Sequence, residues 1–483
     1  MKNPDDAGDL AAVRPFYGGD WHDTEHADVL ADKFTDRPVA RVGRVAKQQV
    51  GEAVAGLVDG QARCRWSPRA RADALVRAAQ LMREQLDDFV ATIVADTGFT
   101  VTDAAREAQR AAETLLLSGE EAKRLDGEMV PLGGAPGGGG QRIGFTVFHP
   151  VGVVCAISPF NSPLNTLLHK VAPALAAGNA VVVKPASQTP QTADRLLRLL
   201  LEAGVPAELM AFVYGGGSDV GQWLLDDPRP AFYAFTGSTE VGRHIHRSVG
   251  LRRTQLEMGS LSSTILCADG NLEAALPLVV NAAFRKAGQV CTSVQRLYVE
   301  RGVLGAVRDE LEKALRVRVA GDPSRPDTFV GPLISPAEAQ RVDDWIERAV
   351  SAGAELVTGG TRTGNVVAPT VLANVNADMA VMSREIFGPV VVLRPFDDLD
   401  EAIDEVNDTP YGLAAGIFTR SINRALAAAD RLHMGSVHIN ETSSSRVDLM
   451  PYTGAKLSGM GREGPRYAIR EMSEERLVTL GPA

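Results

Sequence analysis

Three side chains from separate segments of the sequence could act together on a carbonyl carbon. Cys291 lies in the run 288–293, Glu257 lies 34 positions before it, and Asn161 follows the segment 158–160. They supply a nucleophile, a general base and an amide that can donate a hydrogen bond to an oxyanion. These are the parts that turn an aldehyde into an acid through a thioester. Because a lone cysteine is more often a small buried hydrophobe, this interpretation depends on the motifs around it.

Residues at predicted strand ends and turns indicate a nucleotide site. Lys184 directly follows a short apolar run, and Gly237 and Ser238 lie between another such run and the start of a helix. A lysine there can donate to ribose or phosphate oxygens, and a helix N-terminus accepts a pyrophosphate. Glu385 and Phe387 pair a carboxylate with an aromatic ring, which could hold a nicotinamide riboside. Taken singly, these segments could equally be a solvated lysine, a capped helix and a strand-entry turn.

Length and charge exclude several other classes of protein. A chain of 483 residues is too long for one hydrophobic core and predicts two or three units. A net charge of −10 argues against nucleic acid or an anionic membrane as a partner. The sequence shows no apolar stretch of membrane-spanning length, no signal-peptide pattern and no cysteine pair with zinc-site spacing. We therefore expect a cytoplasmic protein without a bound metal.

The spacing of apolar residues predicts an α/β fold. Steps of three and four indicate one long amphipathic helix over 68–96, and a second helix is predicted over 102–124. The glycine-rich stretch 133–140 is typical of an exposed loop.

Short apolar runs alternate with helical segments through the middle third, which predicts βαβ units and a parallel sheet. In such sheets ligands bind beyond the carboxyl ends of the strands. A second α/β block is predicted at 260–450. The predicted strands are 15–17, 153–157, 180–183, 211–214, 231–235, 264–266 and 390–393.

Taken together, the motifs resemble the aldehyde dehydrogenase superfamily from about Phe16 to the C-terminus. Further matching segments are 407–413, 435–440, 451–456 and 458–463. The resemblance implies an α/β fold whose parts would be a Rossmann-type parallel-sheet cofactor domain, an α/β catalytic domain and a small oligomerisation element. The implied boundaries are 1–122 and 145–259 for the cofactor domain, 260–453 for the catalytic domain, and 123–144 and 454–483 for the oligomerisation element. A homodimer or homotetramer is the corresponding expectation.

The resemblance also implies a role for each catalytic candidate. Cys291 would be the nucleophile, in a site that must favour its thiolate. The amide of Asn161 and the backbone N–H of Cys291 would hold the oxyanion. Glu257 would activate the water that hydrolyses the acyl-enzyme, and Lys170 matches a position that relays protons to that glutamate.

Cofactor contacts follow from the same resemblance. Lys184 would bind the adenosine ribose, Gly237 and Ser238 the pyrophosphate, and Glu385 with Phe387 the nicotinamide ribose.

The choice between NAD and NADP depends on Ser187. Many NAD-preferring relatives carry a glutamate at this position, which binds both ribose hydroxyls and repels a 2′-phosphate. A serine removes that repulsion and keeps a hydrogen-bonding group. The resemblance therefore implies that NADP is permitted, and use of NAD stays open.

Candidates for substrate contact lie on both sides of the nucleophile. Asn165 and His169 would lie on a helix that lines the substrate tunnel and make it moderately polar. Val290 and Thr292 flank the thiol and leave no fixed cation beside it. The implied substrate is a small or medium polar aldehyde.

The C-terminal part of the sequence resembles the lactaldehyde and phosphonoacetaldehyde dehydrogenase branch, in the segments 446–451 and 462–472. Arg446 could meet a substrate anion. It could equally form a salt bridge to Asp448 or to another neighbour.

Two other functions were weighed against aldehyde oxidation. A CoA-acylating aldehyde dehydrogenase has the same fold but generally lacks the glutamate base, so Glu257 argues against it. A catalytically inactive structural or binding relative has no need of Cys291, Glu257 and Asn161 together.

Overall fold

The computed structural model describes residues 10–137 and 142–481. Its strands form two large sheets, a small antiparallel sheet and several short pairings. No helix among these residues is both long and apolar enough to cross a membrane.

The first large sheet has eight strands, and its five central strands run parallel. The predicted apolar runs of the middle third all lie in this parallel part, where helices bury both faces. Their carboxyl ends therefore meet at one edge. In spatial order the strands are Gly459–Met460, Arg253–Glu257, Phe232–Thr236, Val153–Ile157, Ala180–Lys184, Met210–Phe212, Phe16–Tyr17 and Asp20–Trp21.

The second large sheet has seven strands and lies over the core of the second half of the chain. Every pairing in it is parallel except that of Glu355–Thr358, which runs antiparallel at one edge. In spatial order the strands are Glu355–Thr358, Thr370–Ala373, Val390–Phe396, Arg296–Glu300, Ser263–Leu266, Ala414–Phe418 and Ser436–Ile439.

A three-stranded antiparallel sheet brings Ser473–Leu480 against Ile143–Pro150, with Met129–Val130 on the far side. Gly459–Met460, within the segment predicted for oligomerisation, pairs instead with the first large sheet. Residues 138–140 of the predicted glycine-rich loop lie outside the described residues.

Shorter strands complete the sheet structure. They are Ala11–Val13, His26–Ala31 and Pro38–Arg44 in one sheet, and the pairs Val319–Ala320 with Thr328–Val330, Arg362–Thr363 with Val366–Val367, and Tyr411–Gly412 with Ala455–Lys456.

Helices cover the sheets on both sides. They are Lys47–Arg63, Pro68–Glu84, Leu86–Thr97, Val101–Glu121, Asn165–Ala177, Pro190–Glu202, Gln222–Asp226, Thr239–Val249, Leu272–Phe284, Leu304–Arg316, Pro336–Ser351, Ala380–Ser383, Leu399–Asn407, Ile422–Arg431 and Pro465–Glu471.

The prediction of a single helix over 68–96 was wrong, because the chain forms two helices that meet at Gln85. That residue has φ of −103° and ψ of 22°, so it ends one helix and starts the next. Apolar residues on either side keep helical spacing, and spacing alone does not record the change in direction. The second predicted helix is confirmed at Val101–Glu121, where the Thr100 side chain accepts a hydrogen bond from the N–H of Asp103.

Candidate active site

The two large sheets bring the predicted catalytic side chains together at their shared boundary. Glu257 is the last residue of its strand, and Asn161 follows Val153–Ile157 after a short loop. Cys291 approaches from the other side, in the loop before Arg296–Glu300 of the second sheet. All three side chains line the same cavity.

A left-handed turn precedes the nucleophile. Lys286, Ala287 and Gly288 have φ of 52°, 53° and 70°. This region is sterically costly for residues that carry a Cβ. A Cβ at Gly288 would lie 2.1 Å from the carbonyl oxygen of Gly388, so only glycine fits at this point. The turn reverses the chain just before Cys291.

A buried ion pair holds this turn in place. The ammonium of Lys286 donates to Glu107 Oε2 at 2.5 Å, to the carbonyl oxygen of Asn161 at 2.8 Å and to Ser162 Oγ at 2.9 Å. The other carboxylate oxygen of Glu107 accepts from the backbone N–H of Leu164 at 2.9 Å. Because every charge in this group is paired, the group can be buried and can join the nucleophile's turn to the Asn161 loop.

Cys291 is surrounded by groups that favour its neutral form. Burial raises the pKa of the thiol well above its usual range, and the carboxyl group of Glu257 raises it further. The Tyr452 phenol, whose oxygen lies 3.1 Å from Sγ, acts in the opposite direction. Burial outweighs the contributions of Tyr452 and Arg446, so the thiolate that the reaction requires must form by transfer of the thiol proton to a base.

Glu257 is buried beside the thiol, and its Oε1 accepts no hydrogen bond from the described residues. Burial raises its pKa to about 8, with the negative charge of Glu463 adding to the effect. A carboxyl group with that pKa can take up and release a proton near neutral pH.

Asn161 is buried at the mouth of the same cavity. Its Nδ2 donates one hydrogen bond, at 2.9 Å, to the carbonyl oxygen of Gln289 in the nucleophile's loop. An amide nitrogen carries two hydrogens, so this contact fixes the side chain and leaves a second donor for a ligand.

Lys170 contacts a different glutamate from the one that the resemblance implied. Its fully buried ammonium donates to Thr236 Oγ1 at 2.7 Å and to Glu463 Oε1 at 2.8 Å. Arg446 donates to the other oxygen of Glu463 at 3.0 Å. Burial alone would raise the pKa of Glu463, but Lys170 and Arg446 lower it well below its usual range. The positive charge of Lys170 therefore lowers the pKa of Glu257 directly, and Lys170 also pairs with Glu463, whose charge raises that pKa.

A cavity of about 500 Å³ extends from the catalytic side chains along the carboxyl edge of the first sheet. It is lined by the predicted cofactor residues Lys184, Gly237, Ser238, Glu385 and Phe387. Ser238 Oγ accepts from the backbone N–H of Val241 at 3.4 Å and so caps Thr239–Val249.

The donors of this cavity fit a dinucleotide. The buried ammonium of Lys184 makes a single 3.4 Å contact, to the carbonyl oxygen of Pro185, and burial lowers its pKa. Such a group has donors to spare for ribose or phosphate oxygens. Glu385 Oε1 accepts from the N–H of Ser260 at 3.0 Å, and burial raises the pKa of this carboxyl group to about 7. Ser187 lies partly buried at the rim, between the cavity-lining residues Ala186 and Gln188.

A second and much smaller cavity, of about 50 Å³, lies on the other side of Cys291. It shares Asn161, Thr236, Glu257 and Cys291 with the large cavity, so the catalytic side chains stand between the two. The remaining lining is strongly polar and consists of Arg110, Ser162, Asn165, Thr166, Arg285, Val290, Thr292, Ser444, Arg446, Tyr452 and Glu463.

Of the predicted substrate residues, His169 is not brought to this cavity. Its Nε2 lies 2.8 Å from Asp448 Oδ1, and the ring is 1% exposed. The salt bridge left open for Arg446, to Asp448 or to another neighbour, forms with Glu463 and not with Asp448. Asp448 is held by Arg110 at 2.7 Å and by His169, and Arg446 pairs with Glu463 instead.

Sequence reasoning missed several polar residues of the small cavity, Ser444 among them. Tyr452 and Glu463 lie in C-terminal segments that match the family only as motifs, and Arg110 lies on a helix that is predicted from a pattern rich in alanine and glutamate. Arg285 lies six positions before Cys291, outside the run 288–293 that marks the nucleophile in the sequence. A cation does reach the cavity beside the thiol, from six positions earlier in the chain, because the left-handed turn folds the loop back.

The fold and the site define a class of protein. It is a doubly wound α/β enzyme with a thiol and a carboxyl group at the end of a dinucleotide-sized cavity. Among the described residues no cluster of three metal-ligating side chains is present. The sequence profile of the aldehyde dehydrogenase family matches residues 21–478. The chain belongs to the aldehyde dehydrogenase family and is an NAD(P)-dependent oxidoreductase.

Individual relatives cover nearly the whole chain. A 3-sulfolactaldehyde dehydrogenase from Priestia aryabhattai is 43% identical over 465 residues, 96% of this chain and 97% of the relative. A lactaldehyde dehydrogenase from Methanococcus vannielii is 34% identical over 96% of this chain and 99% of the relative. Both support the predicted reaction class.

Solved structures confirm the predicted fold class. Aldehyde dehydrogenase 21 from Physcomitrella patens, in complex with the reaction product succinate, superposes with a TM-score of 0.94 at 31% identity and 98% coverage of both chains. The NADP-dependent glyceraldehyde-3-phosphate dehydrogenase from Bacillus halodurans, complexed with NADP, gives a TM-score of 0.95 at 30% identity, over 98% of this chain and 100% of that one.

Proposed function

We propose that the chain oxidises a small polar aldehyde to its acid through a thiohemiacetal and a thioester on Cys291. The observation that carries this proposal is the position of Asn161, Glu257 and Cys291 between two cavities. One cavity has the size and donors for a dinucleotide, and the other has room for a small molecule. A hydride can therefore pass from one side of the nucleophile to the other.

In the first step the thiol must lose its proton. Glu257 has a pKa of about 8 and lies beside the thiol, so it accepts that proton as Sγ bonds to the aldehyde carbon. The carbonyl oxygen becomes an oxyanion, which the free amide hydrogen of Asn161 and the backbone N–H of Cys291 stabilise. One such donor contributes roughly 3 to 4 kcal/mol to transition-state stability in comparable sites.

The cofactor contacts follow from the large cavity. Lys184 would hold the adenosine ribose, Gly237 and Ser238 would admit the pyrophosphate, and Glu385 with Phe387 would hold the nicotinamide ribose. When bound, the nicotinamide supplies the acceptor for the hydride that leaves the substrate carbon.

Hydrolysis of the acyl-enzyme then requires an activated water. Glu257 first passes on the proton that it took from the thiol and then takes a proton from that water, and the hydroxide displaces Cys291 Sγ from the acyl carbon as a thiolate. The proton on Glu257 then returns to that thiolate. Lys170 and Glu463 form the buried polar group behind Glu257 and provide a path for its proton. This order of events restores the thiol and releases the acid.

Cofactor choice is proposed to favour or at least permit NADP. Ser187 lies at the rim of the cavity beside Ala186 and Gln188, and its side chain carries no charge to repel a 2′-phosphate. We expect Ser187→Glu to lower kcat/KM for NADP by about 10-fold or more and to spare NAD. Unchanged activity with NADP in that variant contradicts the assignment.

The substrate class is proposed from the polar lining of the small cavity. Relatives named as dehydrogenases of 3-sulfolactaldehyde, lactaldehyde, sulfoacetaldehyde and aspartate semialdehyde support a small polar aldehyde. Asn165, Thr292 and Val290 line the cavity and are the proposed substrate contacts. The domain boundaries, a homodimer or homotetramer, and a cytoplasmic location stay predictions.

The decisive experiment follows NADPH or NADH formation with a panel of small aldehydes, with and without CoA, in the wild type and in Cys291→Ala. We expect reduction without CoA and free acid as product, because Glu257 supplies a base for water. Cys291→Ala should lose this activity. Activity that survives the substitution, or that depends on CoA, contradicts the proposed mechanism.

A further inference from the structure

The small cavity ends in a corner formed by Arg285, Ser444 and Thr292, here called the arginine corner. Arg285 Nη2 donates to Ser444 Oγ at 2.8 Å, and Ser444 Oγ lies 3.2 Å from Thr292 Oγ1. Thr292 directly follows Cys291 in the chain. The corner is therefore connected to the nucleophile by a short series of contacts.

The other two arginines of this cavity are already neutralised. Arg110 binds Asp448 with two hydrogen bonds, of 2.7 and 3.2 Å. Arg446 donates to Glu463 at 3.0 Å and lies 3.8 Å from the centre of the Tyr452 ring. Because each guanidinium is paired with a carboxylate, neither offers an unpaired positive charge to a ligand.

Arg285 differs because none of the described carboxylates forms an ion pair with it. The acidic group that acts on it most strongly is Asp103, which already accepts from the backbone N–H of Lys286 at 2.8 Å and from the hydroxyl of Thr100 at 3.2 Å. A guanidinium has five N–H donors, and the hydrogen bond to Ser444 uses one.

An unpaired charge that is partly removed from water costs free energy. Arg285 is partly buried, and burial together with the charges of Arg110 and Arg106 lowers its pKa. A guanidinium nevertheless stays protonated at neutral pH. A partly buried cation without a counter-charge therefore favours an anion from outside the protein.

From this geometry we propose that the arginine corner binds an anionic group of the substrate, a carboxylate or a sulfonate, while the aldehyde carbon lies at Cys291. The planar guanidinium pairs with two oxygens of such a group at once, and the hydroxyls of Ser444 and Thr292 add donors. The cavity of about 50 Å³ admits only a short chain between the two ends. The substrate class is thus a short aldehyde with an anionic group at its far end, an inference that rests on the proposed role of Cys291.

The first test compares anionic aldehydes with neutral aldehydes of similar size. Sulfoacetaldehyde and succinic semialdehyde are compared with propanal and butanal, and the two anions show whether a sulfonate or a carboxylate is preferred. Wild-type kcat/KM should be roughly 100-fold higher for at least one anionic aldehyde, as a charge-assisted contact predicts. Equal values for anionic and neutral aldehydes overturn the proposal.

The second test removes the cation. Arg285→Met should lower kcat/KM for the anionic aldehydes by about 30- to 100-fold and change the neutral aldehydes by less than about threefold. Arg285→Lys should restore part of the preference, since it keeps the charge but loses the planar contact. Arg106→Met is the matched control, because Arg106 is exposed on the neighbouring helix and donates only to Asn281. An equal loss for both kinds of aldehyde in Arg285→Met overturns the proposal.

The third test measures binding without catalysis. Succinate should slow the alkylation of Cys291 by iodoacetamide in the wild type, whereas neutral succinamide should not, and the protection should be lost in Arg285→Met. Protection by succinate in a protein that oxidises no aldehyde supports the corner and contradicts the proposed function. Aldehyde oxidation without an anion preference, and without protection, supports the proposed function and contradicts the corner.

Discussion

At the scale of single residues, a buried thiol and a buried carboxyl group lie side by side, and burial makes both harder to ionise. The negative charge of Glu257 raises the pKa of Cys291 further, whereas the hydrogen bond from the thiol lowers the pKa of Glu257. Their protons are therefore lost as a pair rather than independently. The pair can hold a proton between turnovers and release it when the aldehyde and then the water arrive.

The pH dependence of turnover follows from Glu257. Its pKa is raised to about 8, so the basic form increases as pH rises and is nearly complete only above that value. We expect kcat to rise up to about 10-fold per pH unit below about pH 8 and then to level off, if hydrolysis limits turnover. Initial rates measured between about pH 6 and 9 check this.

Glu257→Gln provides the control for that profile. The variant should form the acyl-enzyme more slowly, because the Cys291 thiol loses its base, and should hydrolyse it at least about 100-fold more slowly, because the amide takes no proton from water. Intact-protein mass spectrometry should then show the acyl group on Cys291. A pH profile that is flat across this range in the wild type contradicts the assigned role of Glu257.

Tyr452 provides a test of what stabilises the nucleophile. Its phenol lies 3.1 Å from Cys291 Sγ and lowers the thiol pKa. Tyr452→Phe should raise that pKa further and slow alkylation by iodoacetamide about 10-fold below neutral pH. Tyr298→Phe is the control, because the buried hydroxyl of Tyr298 has no hydrogen-bond partner among the described residues. Equal alkylation profiles in Tyr452→Phe and the wild type contradict the contact.

At the scale of elements, the turn over Lys286, Ala287 and Gly288 determines where the nucleophile and Arg285 lie. Its three left-handed residues are maintained by close packing against the backbone at Gly388 and by the ion pair between Lys286 and Glu107. Strain of this kind persists only where the surroundings compensate for it. The turn thus fixes the position of Arg285 relative to Cys291 in the lining of the small cavity.

Gly288→Ala tests this element directly. The new Cβ would lie 2.1 Å from the carbonyl oxygen of Gly388, and the backbone would also be held at a φ that alanine disfavours. We expect a loss of roughly 2 to 4 kcal/mol in the free energy of unfolding, with activity lowered further by displacement of Cys291. Urea unfolding and kcat/KM measure the two effects.

Gly302→Ala is the matched control for that substitution. Gly302 has a negative φ and open space where its Cβ would lie, so stability and activity should stay near wild type. If Gly288→Ala is as stable and active as Gly302→Ala, the turn does not constrain the nucleophile as described.

At the scale of the whole molecule, the three-stranded antiparallel sheet exposes an apolar face. Ile143 is 50% exposed, its cross-strand partner Leu480 is 52% exposed, and Met129 nearby is 70% exposed. Ser473–Leu480 also lies at the edge of its sheet, where its backbone groups can pair with another chain. Both features support the predicted homodimer or homotetramer.

The assembly can be checked by sedimentation. Wild-type protein should have the mass of a dimer or tetramer, and Ile143→Glu should shift it toward the monomer by placing a charge in the interface. Leu251→Glu is the control, because Leu251 is fully exposed on a loop of the first large sheet. A monomeric wild type, or an unchanged mass for Ile143→Glu, contradicts an interface at this sheet.

Much of the fold and part of the site were predictable from local patterns. Apolar runs such as 153–157 and 231–235 form buried parallel strands because an α/β sheet is covered on both faces. Residues that directly follow such strands, among them Lys184 and Gly237, then lie at the carboxyl edge, where the cofactor cavity is found. The break at Gln85 was not predictable, because apolar spacing continues across a bend.

The sequence by itself determined the reaction class, because nucleophile, base and amide donor each lie in a short motif whose chemistry depends on residue type. Only the tertiary structure decided their surroundings. Tyr452 meets Cys291 across 161 positions, and Glu463 meets Lys170 across 293. Arg285 reaches the cavity only because three left-handed residues reverse the chain. Protonation states and substrate contacts depend on burial and distance between remote segments, and those quantities exist only once the two sheets have packed together.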